Sequence, residues 1–305
     1  MSDDPSAGAA ITQSFAIEVP LDLRSTLGQR VKVVRDGDIV VHEAWWASRT
    51  PDGIATVRVR TTPSNANAAA WGPGAEWLLR TVPDRLGLND DTTTFTAHHP
   101  VIARIHRDHR GLRLGRTRRV WETLAPTILG QKVTTIEASR NWRSLVHTFG
   151  ESAPGPTTLR VGPTPQSLAN LAYHQLHDHG IERKRAEILI ACAREADRLE
   201  AIVDLPATDA YARLTSIPGV GIWTASLVIG AAHGDPDAIP VGDFHVPNMV
   251  SWALARERRG SDARMIELLE PYRGHRRRVI RLLHLGKISA PKFGPRMAPR
   301  DIRGW

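Results

Sequence analysis

The apolar residues recur about every two residues before Trp121 and about every 3.6 residues after it, and this change of period constrains the fold more than any other feature of the chain. Before it, residues 14–19, 39–45 and 54–60 are rich in β-branched side chains and partly alternate, which predicts strands. After it, helical spacing recurs, with no intervening strand pattern, at residues 121–129, 133–149, 165–176, 182–202, 207–216, 221–232, 246–256, 262–270 and 274–285. We therefore expect an α+β chain with an antiparallel-sheet domain at residues 1–112, an all-α domain at 113–289 and a basic Pro/Arg-rich tail at 290–305.

Two Asp-Gly turns separate the predicted strands, at residues 35–38 and 51–53. Because Asp-Gly is typical of tight hairpins, the strands at 39–45 and 54–60 are expected to pair antiparallel across the second turn. A stretch rich in Pro, Asn, Ala and Gly follows at residues 63–74, and a helix is predicted at residues 75–82.

The composition excludes several classes of protein. No apolar run approaches the roughly 18 residues that a membrane span needs. Cys192 is the only cysteine, which excludes an internal disulfide, a zinc module and a cysteine-held iron–sulfur cluster, and we expect it in the core. Residues 1–10 begin acidic and lack the apolar segment of a secretory signal, so an intracellular, cytoplasmic protein that binds no membrane is expected.

Positive charge is concentrated in two segments of the chain. The formal net charge is +8, yet residues 101–119 carry 7 basic and 1 acidic side chains, and residues 271–305 carry 10 basic and 1 acidic. Arginine-rich stretches in an otherwise acidic chain suggest contacts with phosphate, and a solvated surface is the plainer interpretation. Nucleic acid is therefore the first candidate partner.

Residues 214–225, Leu-Thr-Ser-Ile-Pro-Gly-Val-Gly-Ile-Trp-Thr-Ala, predict two helices joined by a short turn. Gly219 and Gly221 permit positive φ and close approach of another backbone. The turn leaves the first N–H groups of the second helix unpaired at the positive end of its dipole, which suits a phosphate. This is the pattern of a helix-hairpin-helix, although an ordinary turn between helices has the same composition.

Asp243 follows the hairpin, in the stretch Val241-Gly242-Asp243-Phe244-His245 just before another predicted helix. Together with residues 111–114 and 121–131 upstream, this pattern resembles the helix-hairpin-helix-GPD superfamily of DNA glycosylases, and within it the 3-methyladenine DNA glycosylase II branch. The resemblance covers residues 110–285 well and the N-terminal part more loosely. It implies a helix-hairpin-helix glycosylase domain that acts, as a monomer, on double-stranded DNA containing a damaged base.

The resemblance implies that Asp243 is the catalytic residue. Cleavage of an N-glycosidic bond builds positive charge on the deoxyribose, and a nearby carboxylate stabilises that charge. A carboxylate at this place can also orient the attacking water. The plainer interpretation is that Asp243 only caps the following helix, and the two roles are compatible.

Trp223 stands where bifunctional members of the superfamily carry the lysine that forms a Schiff base. Because no amine is available there, we expect a monofunctional enzyme that uses water and leaves an abasic site. Trp223, Phe244 and Arg281 are the candidates for the base pocket, and core packing is the alternative for both aromatic residues. An aromatic wall attracts a cationic alkylated base. Arg281 stands, by ungapped alignment, where alkylpurine enzymes supply a tryptophan, and its charge disfavours such a base.

Extrusion of a nucleotide leaves a gap in the duplex. The family fills this gap with an apolar side chain that follows a glutamine. Here Gln131 is followed by Lys132 instead. Lys132 could contact a phosphate or the orphan base rather than act as an apolar wedge. The candidate DNA-binding residues are Gly219, Val220, Gly221, Thr224, Gln131 and Lys132. The resemblance also implies that the carbonyl oxygens of Thr215, Ile217 and Val220 can bind a monovalent cation. We expect that the protein requires no cofactor.

These patterns predict a monofunctional DNA glycosylase that hydrolyses the N-glycosidic bond of a damaged, alkylated purine in base excision repair. Two alternatives stay open: a glycosylase for deaminated or oxidised bases, whose neutral bases tolerate Arg281, and a non-enzymatic helix-hairpin-helix DNA-binding protein. Asp243 beside an aromatic pocket favours an enzyme, because a phosphate clamp has no use for a carboxylate that repels phosphates.

Overall fold

A computed structural model describes residues 9–28, 31–36, 39–291 and 298–303 of the protein. The N-terminal part is a five-stranded antiparallel sheet in the order β1-β5-β4-β3-β2. Its strands are β1 (Ile11–Ala16), β2 (Val31–Asp36), β3 (Ile39–Thr50), β4 (Gly53–Thr61) and β5 (Asn65–Trp71). Helices dominate the rest of the chain, so the predicted α+β class is confirmed.

Alternation of side chains along the strands decides which face of the sheet is buried. Trp46 of β3 and Val57 and Val59 of β4 lie on the face that packs against α2 (Ala75–Leu86). The predicted hairpin between β3 and β4 is confirmed, with Thr50 paired to Gly53. Gly53 has φ +120°, a conformation that glycine adopts without strain.

Within the five-stranded sheet, strands β2 and β5 were not predicted from the sequence. The residues of β5, Asn-Ala-Asn-Ala-Ala-Ala-Trp, include no β-branched side chain, and this strand forms because it pairs with β1 on one side and β4 on the other. The first strand also lies three residues earlier than the predicted 14–19. Of the predicted turn at residues 35–38, Gly37 and Asp38 lie outside the described residues.

The other helices are α1 (Leu23–Leu27), α3 (Pro100–Asp108), α4 (Trp121–Leu129), α5 (Thr135–Phe149), α6 (Pro165–Ala169), α7 (Tyr173–His177), α8 (Arg183–Arg194), α9 (Ala196–Glu200), α10 (Ala207–Thr215), α11 (Ile222–Val228), α12 (Val246–Ala255), α13 (Asp262–Leu269) and α14 (Arg276–Leu285). A π-helical turn at Ile229–His233 continues α11. In the part of the chain that the structure describes, no helix is long and apolar enough to cross a membrane.

The helical region differs from its prediction in three places. The predicted helix at 182–202 is divided into α8, α9 and a 3₁₀ turn, and the one at 165–176 into α6 and α7. Before this region, helices α1 and α3 were also not predicted. The expectation that no strand follows residue 121 is wrong, because β6 (Glu151–Ser152) pairs with β7 (Arg160–Val161). Strands of two residues are too short to produce a periodic signal in the sequence.

Three apolar clusters form the core. One is the face of the sheet under α2, a second joins α4, α8, α10 and α11, and a third joins α3 to α12, α13 and α14. Cys192 lies fully buried in the second cluster, as predicted, and burial raises the pKa of its thiol to about 12. Helix α3, which falls in the predicted segment 1–112, packs against α14.

Several arginines of the two basic segments are internal, which differs from the phosphate contacts expected of them. Arg278 is 1% exposed and donates to both oxygens of Asp90, at 2.6 and 2.8 Å. Arg113 is 4% exposed and donates to the carbonyl oxygens of Pro20 and Asp90. Buried guanidinium groups need such partners, so these arginines join the N-terminal part of the chain to α14.

Candidate active site

The predicted hairpin is present between α10 and α11, and its two glycines have different structural roles. Gly219 has φ +89°, and a Cβ atom there would lie 2.4 Å from the side chain of Ile188. Gly221 has φ −86°, and a Cβ atom there would meet no other atom within 4 Å. Gly219 is therefore needed for the turn itself, whereas Gly221 leaves the start of α11 open to an approaching group.

The other predicted hairpin residues point inward. Val220 and Thr224 are 3% and 1% exposed, so a contact between Val220 and DNA has to come from its backbone. Gln131 donates from Nε2 to the Gly219 carbonyl at 3.1 Å and to Thr224 Oγ1 at 2.9 Å. The amide of Gln131 therefore ties the loop after α4 to the hairpin.

Lys132 is exposed beside this junction. Its φ is +58°, an uncommon conformation for a residue with a side chain, and it places the amine at the surface of the loop. Among the described residues, no hydrogen bond or ion pair is found for this amine. It is therefore free to meet a partner outside the chain.

The predicted cation ligands lie in the turn between α10 and α11. The Ile217 carbonyl accepts the Val220 N–H at 3.0 Å. A carbonyl oxygen has a second lone pair, so this hydrogen bond leaves room for a cation, and the site with Thr215 and Val220 stays a prediction. No cluster of three or more His, Cys, Asp or Glu side chains suited to a metal ion occurs within residues 9–28, 31–36, 39–291 and 298–303.

Asp243 lies in a tight loop before α12, and three N–H groups hold its carboxylate. Oδ1 accepts the backbone N–H groups of His245 at 2.7 Å and Val246 at 2.9 Å. Oδ2 accepts the indole N–H of Trp223 at 2.9 Å. The first two bonds lie within the loop that precedes α12, and the third fixes the carboxylate against the hairpin helix. The N-cap residue of α12 is His245, so Asp243 holds the turn that leads into the helix and has a defined orientation toward α11.

Trp223 connects the three segments of the site. Besides its bond to Asp243, it lies next to Gly242, whose Cβ position would be 4.0 Å from the Trp223 Cβ. Its ring also lies beside Gly130, at 3.8 Å from the Cβ position there. The side chain is only partly buried, so Trp223 borders the surface around Asp243.

Apolar side chains around Asp243 are open to solvent. Phe244 is 82% exposed, and its ring forms a T-shaped pair with that of His245, with ring centroids 4.9 Å apart. Core packing, the alternative interpretation of Phe244, is therefore wrong. Ile222 is 46% exposed and Leu227 is 37% exposed. Phe244 is next to Asp243 in the chain and Ile222 is next to Trp223, so exposed apolar side chains flank both members of this hydrogen-bonded pair, which indicates a binding surface.

Helix α14 lies near this surface with two basic side chains. Arg281 is half-buried and donates from Nη2 to the Ser25 carbonyl at 2.9 Å and more weakly to that of Thr26. His284, one turn further along, was missed by the sequence analysis. Burial and the Arg281 guanidinium lower the pKa of His284, and the Asp243 carboxylate acts in the opposite direction. The spacing of three residues from Arg281 on one helix face is the signal that could have found it.

Residues 125–273 match the model of the HhH-GPD superfamily of base excision DNA repair proteins. This part of the chain is an HhH-GPD domain. The resemblance inferred from the hairpin and Asp243 is confirmed, since the matched residues include both. The match begins in α4 and ends just before α14, so Arg281 and His284 lie beyond it.

Known proteins support the same domain. A DNA-3-methyladenine glycosylase of Bacillus subtilis (strain 168) is 25% identical over 207 residues, 65% of this chain and 68% of that protein. DNA-3-methyladenine glycosylase 2 of Escherichia coli (strain K12) is 31% identical over 127 residues, 41% of this chain and 45% of the relative. The matches to curated relatives span between 45% and 68% of their lengths.

The fold extends beyond the matched domain. The structure of a 3-methyladenine DNA glycosylase from Archaeoglobus fulgidus superposes with a TM-score of 0.73, covering 90% of this chain and 98% of that one, at 19% identity. At this identity the likeness concerns the fold alone. The HhH-GPD domain and the sheet before it are thus arranged as in a solved structure.

Proposed function

We propose that this protein is a monofunctional DNA glycosylase that hydrolyses the N-glycosidic bond of a damaged purine in double-stranded DNA. The observation that carries the proposal is the Asp243 carboxylate, fixed by three N–H donors beside the hairpin, with the exposed Phe244 next to it in the chain. In this role, Asp243 stabilises the positive charge that develops on the deoxyribose and orients the attacking water.

The exposed apolar surface fits an extruded nucleotide. A base inside the duplex is inaccessible, so its nucleotide has to leave the stack before the bond to its sugar reaches Asp243. Trp223, Ile222 and Phe244 offer faces on which an extruded base or its neighbours stack. The backbone N–H groups at Gly221 and the start of α11 hold a phosphate of the same strand, through the positive end of the helix dipole.

Hydrolysis without strand cleavage is proposed because the site offers an indole where a Schiff-base enzyme needs an amine. Trp223 directs its N–H at Asp243, so it orients the carboxylate and cannot act as a nucleophile. Lys132 is the exposed amine in the neighbouring loop, and a covalent adduct would point to it. We propose that no cofactor is required, that a monovalent cation on the hairpin carbonyls supports phosphate binding, and that the protein acts as a monomer.

Alkylated purines are the proposed substrates, since the curated relatives are named as DNA-3-methyladenine glycosylases. An alkylated base carries positive charge, which makes it a good leaving group and attracts it to an aromatic face such as that of Trp223. Arg281 favours the second candidate, a deaminated or oxidised base that is neutral. Its guanidinium lies in a half-buried position on the helix that also carries His284.

Replacing Asp243 by Asn tests this function. The carboxylate charge is lost while the size of the side chain is kept, so base release should fall by about a hundredfold or more, with affinity for DNA largely unchanged. Release is measured on duplexes carrying one alkylated, deaminated or oxidised base. Asp178→Asn, at the exposed end of α7, is the matched control and should release the base at the normal rate.

Two results would contradict the proposal. Near-normal release by the Asp243→Asn variant on the preferred base would remove the catalytic role of the carboxylate. A protein–DNA adduct trapped by borohydride would contradict the monofunctional mechanism. If the wild type bound DNA and released none of the bases, the chain would be a non-enzymatic hairpin protein.

A further inference from the structure

Exposed arginines on α3 form a basic surface that the hairpin site does not include. Arg104 and Arg107 lie three residues apart on this helix, and Arg110 follows its end. All three side chains are exposed, and within the described part of the chain none of them forms a hydrogen bond or an ion pair. Asp108 is the only acidic residue in this stretch. Three cations thus share one face without internal partners.

The arginines that follow in the same basic segment behave differently. Arg116 and Arg118 pair with Asp84, at 2.9 and 3.3 Å, and Arg119 pairs with Glu200 at 3.4 Å. These groups are therefore engaged within the molecule. The segment 101–119 is divided, with the arginines before residue 111 available to an external partner and those after it used in the fold.

Two further cations extend the surface. A Cβ atom at Gly286 would lie 2.5 Å from Ile105 Cδ1, so the end of α14 lies directly against α3, and the exposed Lys287 follows Gly286. Helix α1 lies at the C-terminal end of α3, where Ser25 Oγ is 2.9 Å from His109 Nδ1. The exposed Arg24 precedes Ser25 in α1. We call the surface formed by Arg24, Arg104, Arg107, Arg110 and Lys287 the α3 basic surface.

Helix α14 links the α3 basic surface to the proposed active site. Arg281 of α14 donates to the Ser25 carbonyl, which links the site to α1. His284, one turn nearer the end of α14, lies within electrostatic reach of Asp243. Asp243 contacts the hairpin through Trp223 on α11. Helix α14 therefore contacts α1 and α3 and also carries a side chain that interacts with the Asp243 carboxylate.

We propose that the α3 basic surface is a second binding site for the phosphate backbone of duplex DNA, separate from the hairpin. This proposal rests on the proposed function only because it takes DNA as the partner. Unpaired guanidinium groups on one face attract a polyanion, and their planar donors match phosphate oxygens. A duplex held at both places is anchored by two separate parts of the molecule, which adds to the binding that the hairpin alone provides. This surface increases the affinity for DNA of any sequence and makes no base-specific contact.

The test replaces Arg104, Arg107 and Arg110 together by Ala and measures affinity for an undamaged mixed-sequence duplex at several salt concentrations. Each lost phosphate contact should reduce the slope of log affinity against log salt by about one, for a total of up to about three. Affinity at about 0.1 M salt should fall by roughly tenfold or more. When the triple replacement is combined with Gly221→Val in the hairpin, the two fold-losses in DNA affinity should multiply, because separate contacts add in free energy.

A matched control removes the same charge elsewhere. Arg35 on β2, Arg80 on α2 and Arg198 on α9 are exposed, and their triple replacement by Ala also lowers the net charge by three. If the α3 variant keeps the wild-type slope, or if the control variant lowers the slope equally, the α3 basic surface is not a DNA site. Because undamaged DNA is used, this result is independent of base release, which alone decides the proposed catalytic function.

Discussion

At the scale of single residues, the hairpin shows that two identical amino acids can be required for different reasons. Gly219 is in the left-handed region and packs against Ile188, so a side chain there is strained by both the backbone and the neighbour. Gly221 has an ordinary φ and open space around its Cβ position. Gly221 is the N-cap residue of α11, and the described residues leave open space at its Cβ position, which an external partner can approach.

Substitution of each glycine separates folding from binding. Gly219→Ala should lower the free energy of unfolding by about 1–3 kcal/mol, because alanine has to adopt positive φ against Ile188. Gly221→Val should leave the melting temperature nearly unchanged and weaken DNA binding by about tenfold, since its methyl groups block a charge-assisted hydrogen bond to phosphate. Thermal unfolding and DNA titration of both variants check this. A Gly221→Val variant that binds DNA like the wild type would show that the phosphate does not contact this turn.

At the scale of elements, the loop between α4 and α5 is held to the hairpin by one side chain. Gln131 provides both hydrogen bonds across this junction, and Lys132 follows it with a left-handed backbone. Residues in that conformation persist where the surrounding structure holds them. The position of Lys132 relative to Asp243 therefore depends on the Gln131 amide.

Replacing Gln131 by Met removes the amide and keeps the length of the side chain. Loss of two hydrogen bonds, each worth about 1 kcal/mol, should accelerate hydrogen exchange at residues 130–134 by about tenfold, with little effect on the core. Mass spectrometry of exchange measures this. Gln175→Met in α7, which loses only a local bond to Ala172, is the control and should leave residues 130–134 unchanged. Unchanged exchange of the loop in Gln131→Met would mean that other contacts hold it.

At the scale of the whole molecule, arginine–carboxylate pairs join the sheet domain to the helices. Asp84 of α2 accepts from Arg116 at 2.9 Å, from Arg118 at 3.3 Å and from Asn89 at 2.9 Å. Burial alone would raise the pKa of Asp84, but hydrogen bonds from Arg116, Asn89 and Arg118 outweigh it and hold the pKa below its usual 3.8. The charged form is thus the one that the folded state favours.

Asp84→Asn should therefore destabilise the protein in a pH-dependent way. A carboxylate whose pKa is lower in the folded state than in the unfolded state stabilises the fold at pH values above the unfolded-state pKa. This stabilisation is lost as the pH falls through the folded-state pKa. We expect a loss of about 1–3 kcal/mol near neutral pH, and the difference between the two melting temperatures should start to shrink only as the pH falls below about 3.8, toward the lower folded-state pKa. Thermal unfolding between about pH 3 and 8 measures this, with Asp52→Asn, in an exposed pair with Arg80, as a control of small effect. A difference that persisted undiminished in acid would contradict the role of the charge.

The sequence by itself determined the features that depend on neighbouring residues. Periodicity predicted the order of sheet and helices, the Asp-Gly turn predicted the β3–β4 hairpin, and the two glycines before α11 predicted the helix-hairpin-helix. Asp243 was recognised as a carboxylate that holds the start of a helix, because its partners, His245 and Val246, are two and three residues away. Such local interactions form with little loss of chain entropy, so short stretches of sequence are enough to predict them.

The tertiary structure decided everything that joins distant residues. The indole N–H of Trp223 reaches Asp243 across 20 residues, and Gln131 reaches Thr224 across 93. Strand β5 forms only because β1 and β4 lie on either side of it, and its own residues carry no strand signal. The arginines of segment 101–119 are alike in sequence, yet Arg116 meets Asp84 while Arg104 meets solvent. Which charges are left for a partner depends on where distant carboxylates are placed, and only the folded chain fixes that placement.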